Sequence, residues 1–211
     1  MPKKQDEADR QSQILDAAVA YFAEKGYSAA TTRDIAAAAG VAEGTIFRYF
    51  PTKKSMLHAI TLRFLSGMAD AVMRPIEEML RNCQGRGLRE ILHDIIWDRM
   101  ELMEKMFPLA RVVLTEMLYH DDIRELIQEK LFNRAYGTFC RFYAVAEERG
   151  LMRRGLSSEA LFRCLFANVL LFVAQHKLFP QEQPEAVEQA FEQMFDVIYG
   201  GIAPRNGEEK P

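Results

Sequence analysis

Residues 43–50, EGTIFRYF, place an arginine between aromatic rings, one turn after a glycine and a threonine hydroxyl. Each of these types suits one kind of contact. A guanidinium forks onto a guanine edge, a hydroxyl grips a phosphate oxygen, and an apolar ring touches a thymine methyl. At helical spacing Ile46 and Phe50 share one face, leaving Glu43, Gly44, Thr45, Phe47, Arg48 and Tyr49 outward. Two outward aromatic rings need a partner to cover them. Lys53 and Lys54 follow directly and suit phosphate contacts. The set fits a surface that reads a double-stranded DNA groove; its bland alternative is a helical hairpin that only packs.

The preceding residues, TTRDIAAAAGV, supply what such a surface needs behind it. Thr31 followed three residues later by Asp34 predicts a capping box opening a short helix. Gly40 suits the left-handed position that ends it. With so short a turn the two helices cross closely, which requires a small residue at the crossing, and Ala36 provides one. Ile35, Val41, Ile46 and Phe50 are the expected shared core. A small residue, a glycine four later and a branched apolar residue six after that is the spacing of a helix-turn-helix.

The remaining chain reads as all-α, with about nine helices and no credible strand. A first helix is expected from about Asp9 to Lys25, ended by Gly26, and a long fourth from about Lys54 toward Asn82, bent or interrupted at Pro75. After the QGRG turn, one helix is expected over Leu88 to Lys105 and another from Pro108 to near His120. Asp121 is expected to cap a long helix whose inner face carries Ile123, Ile127, Leu131, Ala135, Phe139, Phe142 and Ala146, ended by Gly150 and Gly155. Ser157 opens the next, and the last runs from about Pro184 to Tyr199. The boundaries expected are a head over residues 10–58, a body over 59–203, and disorder at 1–9 and 204–211.

Composition sets limits on function. The 211 residues carry a formal net charge of −3. Residues 1–60 hold eight Lys or Arg against seven Asp or Glu, and residues 31–60 four against two, so the acidity lies outside the helix-turn-helix. That basic footprint is modest, and specific binding is expected to need two heads. Cys83, Cys140 and Cys164 lack metal-ligand spacing and read as packing thiols of a reducing cytosol. The N-terminus has no apolar stretch behind its lysines, and the run Leu161 to Ala174 is short and broken by Arg163 and Asn168, so a cytoplasmic protein without a membrane span is expected.

From Ile14 to Leu57 the chain resembles the TetR family of bacterial transcriptional regulators, most strongly in TTRDIAAAAGV, GTIFRYF and KKSML. The resemblance implies a nine-helix protein with a three-helix DNA-binding head and a larger ligand-binding and dimerising body. It also implies that Thr32, Arg33, Gly44, Thr45, Phe47, Tyr49 and Lys53 face an operator. Three residues depart from the pattern. Phe47 stands where tyrosine is usual, losing a phosphate hydrogen bond. Ala42 replaces a capping serine, at a cost of ~1 kcal/mol. Glu43 turns a negative charge toward DNA, either to accept from a cytosine amino group or to sit on the helix N-terminus.

In the body, residues 157–179 are apolar on nearly every side, and the last helix carries a second apolar stripe. A helix apolar all round must be covered all round. The dimer interface expected comprises Leu165, Phe166, Val169, Leu170, Val173, Phe191, Phe195 and Ile198, joining a symmetric copy in a four-helix contact; the alternative is that both helices are core. Methionines are dense between Met68 and Met117, with Met73, Met79 and Met106 among them. They suit either an irregular core or a pocket for varied apolar ligands. A pocket is expected to use Met68, Trp97, Met100, Met103, Phe107, Met117, Phe142 and Phe172 for a small hydrophobic ligand.

No cofactor is expected. The case for an enzyme rests on His93-Asp94 and His120-Asp121-Asp122, pairs that all-helical metal hydrolases use. Against it, His120 suits a helix C-terminus and Asp121 a cap, and the sequence has neither an HExxH nor a phosphate-cradling glycine loop. The function expected is a homodimeric repressor of a pseudo-palindromic operator, released by a small ligand. The alternatives are a DNA-binding activator or architectural protein without an inducer, and more remotely the hydrolase.

Overall fold

The computed structural model describes residues 2–81, 86–179 and 184–203, with side chains outside 2–5, 69–81 and 184–185. Among the described residues there are nine α-helices and no strand. They are α1 (Pro2–Lys25), α2 (Thr32–Ala38), α3 (Glu43–Tyr49), α4 (Lys53–Arg81), α5 (Leu88–Glu116), α6 (Asp121–Ile127), α7 (Asn133–Glu148), α8 (Ser158–Leu178) and α9 (Pro184–Ile202). A π-helical turn, Gln128–Phe132, joins α6 to α7.

The chain forms two compact units. The first comprises Met1–Gly67 and Pro108–Lys130; the second comprises Met68–Phe107 and Leu131–Pro211. In the first unit Ile14, Ala18 and Phe22 of α1, Ile35 of α2, Ile46 of α3 and Met56, Leu57, Ile60 and Phe64 of α4 are buried together with Val113, Ile123 and Ile127. In the second, Phe191 and Phe195 of α9 are fully enclosed, and Ile91, Leu92 and Ile96 of α5 and Val169 and Val173 of α8 are also buried.

Several boundaries differ from those the sequence predicts, each for a physical reason. Helix α1 begins at Pro2, where disorder is expected through residue 9; proline's fixed φ and missing amide suit a first helical turn. Helix α4 continues through Pro75. Helix α5 likewise passes through Pro108, where the sequence predicts a new start. The proline removes one intrahelical hydrogen bond there without ending the helix. The long helix expected from Asp121 is interrupted by the π turn, whose wider spacing re-aims the face that follows. Its cap also differs: His120 holds the N-cap position without a side-chain bond, and Asp121 is the first helical residue, paired with Arg124. The QGRG turn, Cys83 and the tail 204–211 lie at least partly outside the described residues.

A polar contact joins α4 to α6 within the first unit. Asp122 Oδ2 lies 3.0 Å from Lys54 Nζ and 2.5 Å from His58 Nε2. The Lys54 ammonium, with His58 behind it, lowers the Asp122 carboxyl to about 2 from the ordinary 3.8. A depressed carboxyl contributes stability above its unfolded value and loses it as pH falls through the folded one. The wild type should therefore lose stability between about pH 4 and pH 2 more steeply than Asp122→Asn. The difference should be small because the carboxylate is exposed to screening. Urea denaturation at stepped pH measures it; parallel curves would show that the contact contributes nothing.

Candidate nucleic-acid interface and internal cavity

The helix-turn-helix forms by local rules. Thr31 caps α2, its Oγ1 accepting from the Asp34 amide at 3.1 Å. The Asp34 carboxylate returns to the Thr31 hydroxyl, which donates at 2.6 Å. At the other end Gly40, at φ +61°, takes the left-handed position. Its amide bonds Ala37 O at 3.2 Å, and that of Val41 bonds Ala36 O at 3.0 Å, the paired closure of a Schellman turn. Ala36 is 3% exposed at the crossing, and Ile35, Ile46 and Phe50 form the shared core. Val41, expected with them, is only half-buried. Ala42 caps α3 without a side-chain bond, as its lack of a hydroxyl dictates.

On the outward side, Gly44, Phe47 and Arg48 are exposed, and Thr45 and Tyr49 half-buried. Arg48 lies over the Tyr49 ring, its carbon 4.8 Å from the centroid, and donates to Tyr49 Oη at 2.8 Å. Stacking pre-orients the guanidinium while leaving donors open to solvent.

Two residues take roles that the sequence does not show. Glu43 accepts from the Thr32 hydroxyl at 2.6 Å and lies 4.0 Å from Arg33 Nε. The negative charge at the head of α3 thus ties α3 to the start of α2, a use different from a cytosine contact. Lys53, assigned by its sequence position to a phosphate, instead donates to Tyr27 O at 2.7 Å, Ser28 O at 3.2 Å and Ala30 O at 3.1 Å. It also lies 4.5 Å from the Tyr27 ring centroid. An ammonium has three protons, and all three are used inside the fold. Lys54 is paired with Asp122.

The second unit encloses a cavity of about 130 Å³ between α5, α7 and α8. Met68, Met103 and Phe142 line it, as do Leu92, Ile95, Ile96 and Phe139, which sequence reasoning missed. Five other residues assigned to a pocket lie elsewhere. Trp97 packs edge-on against Phe191, ring centroids 4.9 Å apart, and donates to Glu101 at 3.1 Å. Phe172 packs against His176 and Phe191. Met100 is buried away from the lining, Phe107 is half-buried away from it, and Met117 belongs to the first unit. The side chains of Met73 and Met79 lie outside the described residues.

Of the residues expected at a dimer face, Leu165, Phe166, Val169 and Leu170 line the cavity, the first two and Leu170 being half-buried. Val173, Phe191 and Phe195 are buried within the protomer, and Ile198 borders the groove between α8 and α9. The face left open carries Leu171 at 67% and Val197 at 78% exposure. Beside it a groove between α8 and α9 includes Ala160, Cys164, Asn168, Met194, Val197 and Gly201. Cys164, expected to pack, is exposed there.

The histidine–aspartate pairs serve packing contacts. His93 Nε2 lies 2.8 Å from a Glu192 carboxylate oxygen and its ring stacks near Trp97, while Asp94 accepts from Arg86. His120 lies 3.4 Å from Glu116 and edge-on to Tyr27. Among the described residues no three His, Cys, Asp or Glu gather at metal-binding spacing.

Among the described residues the chain is all-helical, with a helix-turn-helix in the first unit and a cavity in the second. Residues 14–60 match the family described as bacterial regulatory proteins, tetR family. Over 123 residues the chain is 28% identical to the HTH-type transcriptional repressor KstR2 of Rhodococcus jostii, covering 58% of this chain and 54% of that one. Over 126 residues it is 31% identical to the nucleoid occlusion factor SlmA of Actinobacillus pleuropneumoniae, covering 58% and 57%. These matches span about half the length of the curated relatives. The crystal structure of the transcriptional regulator FadR from Bacillus subtilis in complex with stearoyl-CoA is similar over 90% of this chain and 98% of that one, at a TM-score of 0.66 and 26% identity. Residues 14–60 thus carry the tetR-family domain, and the chain is similar in fold to a solved regulator over nine-tenths of its length.

Proposed function

We propose that the protein is a homodimeric, DNA-binding transcriptional repressor of the cytoplasm, released from a pseudo-palindromic operator by a small apolar ligand. The observation that carries this is the outward face of α3, where Phe47 and Arg48 are exposed on a helix whose opposite face, Ile46, is fully buried. One such head reads too few base pairs for a specific site, so two are needed. Helix α8 is long and apolar enough to cross a membrane, yet only 17% of its apolar window is buried within one chain. The exposed Leu171 and Val197 and the α8–α9 groove give a symmetric copy a surface to cover.

The cavity supports an inducer. Its volume is similar to that of dry cavities of roughly 150 Å³ that take up benzene. The FadR neighbour carries stearoyl-CoA, and KstR2 is a repressor. A ligand that fills the cavity releases DNA only if it binds the released state more tightly than the bound one.

Arg48→Ala tests the reading surface. It should weaken operator binding by about 1–3 kcal/mol while leaving binding to a scrambled duplex almost unchanged. Fluorescence anisotropy on the two duplexes measures both. Equal losses on both would assign Arg48 to gripping the backbone.

A further inference from the structure

Residues 31–60 carry four cations, Arg33, Arg48, Lys53 and Lys54. Three are engaged within the first unit: Lys53 on the carbonyls of Tyr27, Ser28 and Ala30, Lys54 on Asp122, and Arg48 on Tyr49. The Arg33 side chain is 86% exposed, and the Glu43 carboxylate faces it, Oε2 lying 4.0 Å from Nε. The other oxygen of that carboxylate accepts from the half-buried Thr32 hydroxyl at 2.6 Å. Glu43 thus engages the two residues that open α2, and it does so at the rim of the outward face of α3, one turn before Phe47. A hydroxyl has one proton to donate, and while it goes to Glu43, Thr32 has none for a phosphate. A neutral acceptor at position 43 would tie α3 to α2 without placing a negative charge where a polyanion must approach.

We propose that Glu43 is an internal competitor of the DNA backbone, a residue that sets how strongly the head grips phosphate. This rests on the DNA-binding reading above and adds to it. In the free head the carboxylate stands in for a phosphate on Thr32 and Arg33, and DNA binding exchanges one anion for the other. Phosphates carry no sequence, so the exchange is the same on every duplex. Glu43 therefore lowers specific and non-specific affinity by one factor and leaves discrimination to the outward face of α3.

The test uses the full-length protein, the duplex that the wild type enriches from a randomised pool, and a scrambled duplex of equal length, in anisotropy titrations at stepped salt. Glu43→Ala should tighten binding to both duplexes by one factor, at least about threefold. It should also steepen the slope of log affinity against log salt by about one. In a Thr32→Val background the same change should tighten binding less than about twofold, because the hydroxyl it would release is gone. Glu43→Gln keeps an acceptor for Thr32 and removes the charge, so it should tighten both duplexes even if Glu43→Ala does not fold. Weaker binding by Glu43→Ala, restored by Glu43→Gln, would make the contact a brace and overturn the competition. An equal gain in the Thr32→Val background, or a gain confined to one duplex, would overturn it as well. A wild type that enriches no duplex would overturn the specific-reader function, while the gain on the scrambled duplex would still decide the role of Glu43.

Discussion

Val197→Glu should convert the protein to a monomer and abolish tight operator binding. Val197 is the most exposed large apolar residue of α9, at 78%, and it borders the groove shared with α8. A carboxylate there would be desolvated within the proposed two-fold contact without a cation to pair with. Once the heads are separated, the second half-site is no longer engaged at high effective concentration. The loss of affinity is on the order of 10²–10⁴. Light scattering after size exclusion measures the mass, and anisotropy the affinity. Leu118→Glu is the control: Leu118 is also exposed, at 68%, but belongs to the first unit, and its change should leave the dimer intact. A Val197→Glu protein that remained dimeric would move the interface away from the α8–α9 groove.

Lys53→Met should cost roughly 2–4 kcal/mol of stability. It removes one ammonium from three carbonyls contributed by Tyr27, Ser28 and Ala30, and from the face of the Tyr27 ring. Those carbonyls belong to the turn between α1 and α2, so the start of α4 is pinned against the turn that positions the helix-turn-helix. For a chain of this size, each kcal/mol corresponds to about 2–4 °C of melting temperature. Lys53→Arg should recover only part of the loss, because a planar fork cannot aim at three carbonyls as an ammonium does. Thermal and urea denaturation in the absence of DNA measure the effect. Unchanged stability with weakened binding to every duplex would return Lys53 to the phosphate-gripping role.

What the sequence makes legible is what local rules determine. Thr31 and Asp34 form a cap, Gly40 turns left-handed, and Ala36 permits the crossing; each follows from residue type and spacing within twenty residues. The tie from Glu43 to Thr32 and the staple from Lys53 to Tyr27 join residues 11 and 26 apart, which no periodicity encodes. Helix α8 shows the opposite limit. With apolar residues on every side, its pattern reveals that it must be covered all round but not which face its own chain covers. Its pattern therefore does not single out Leu171 as the residue left outward. Arg99, which also lines the cavity, did leave a signal: it continues the series Leu92, Ile96 and Met103 at helical spacing, a cation on an apolar stripe. The persistence of α5 through Pro108 has no local signal, since proline there reads as a helix start.

The central claim, a two-headed reader of a specific DNA site, is tested most directly by fluorescence anisotropy on the duplex lying upstream of the gene. A scrambled duplex of equal length serves as the comparison, at physiological salt and with stoichiometry determined in the same titration. The account predicts preferential binding to the upstream duplex by two chains or a multiple of two, with an affinity that falls steeply as salt rises. Equal and weak binding to both duplexes, or tight binding by a single chain, would contradict it.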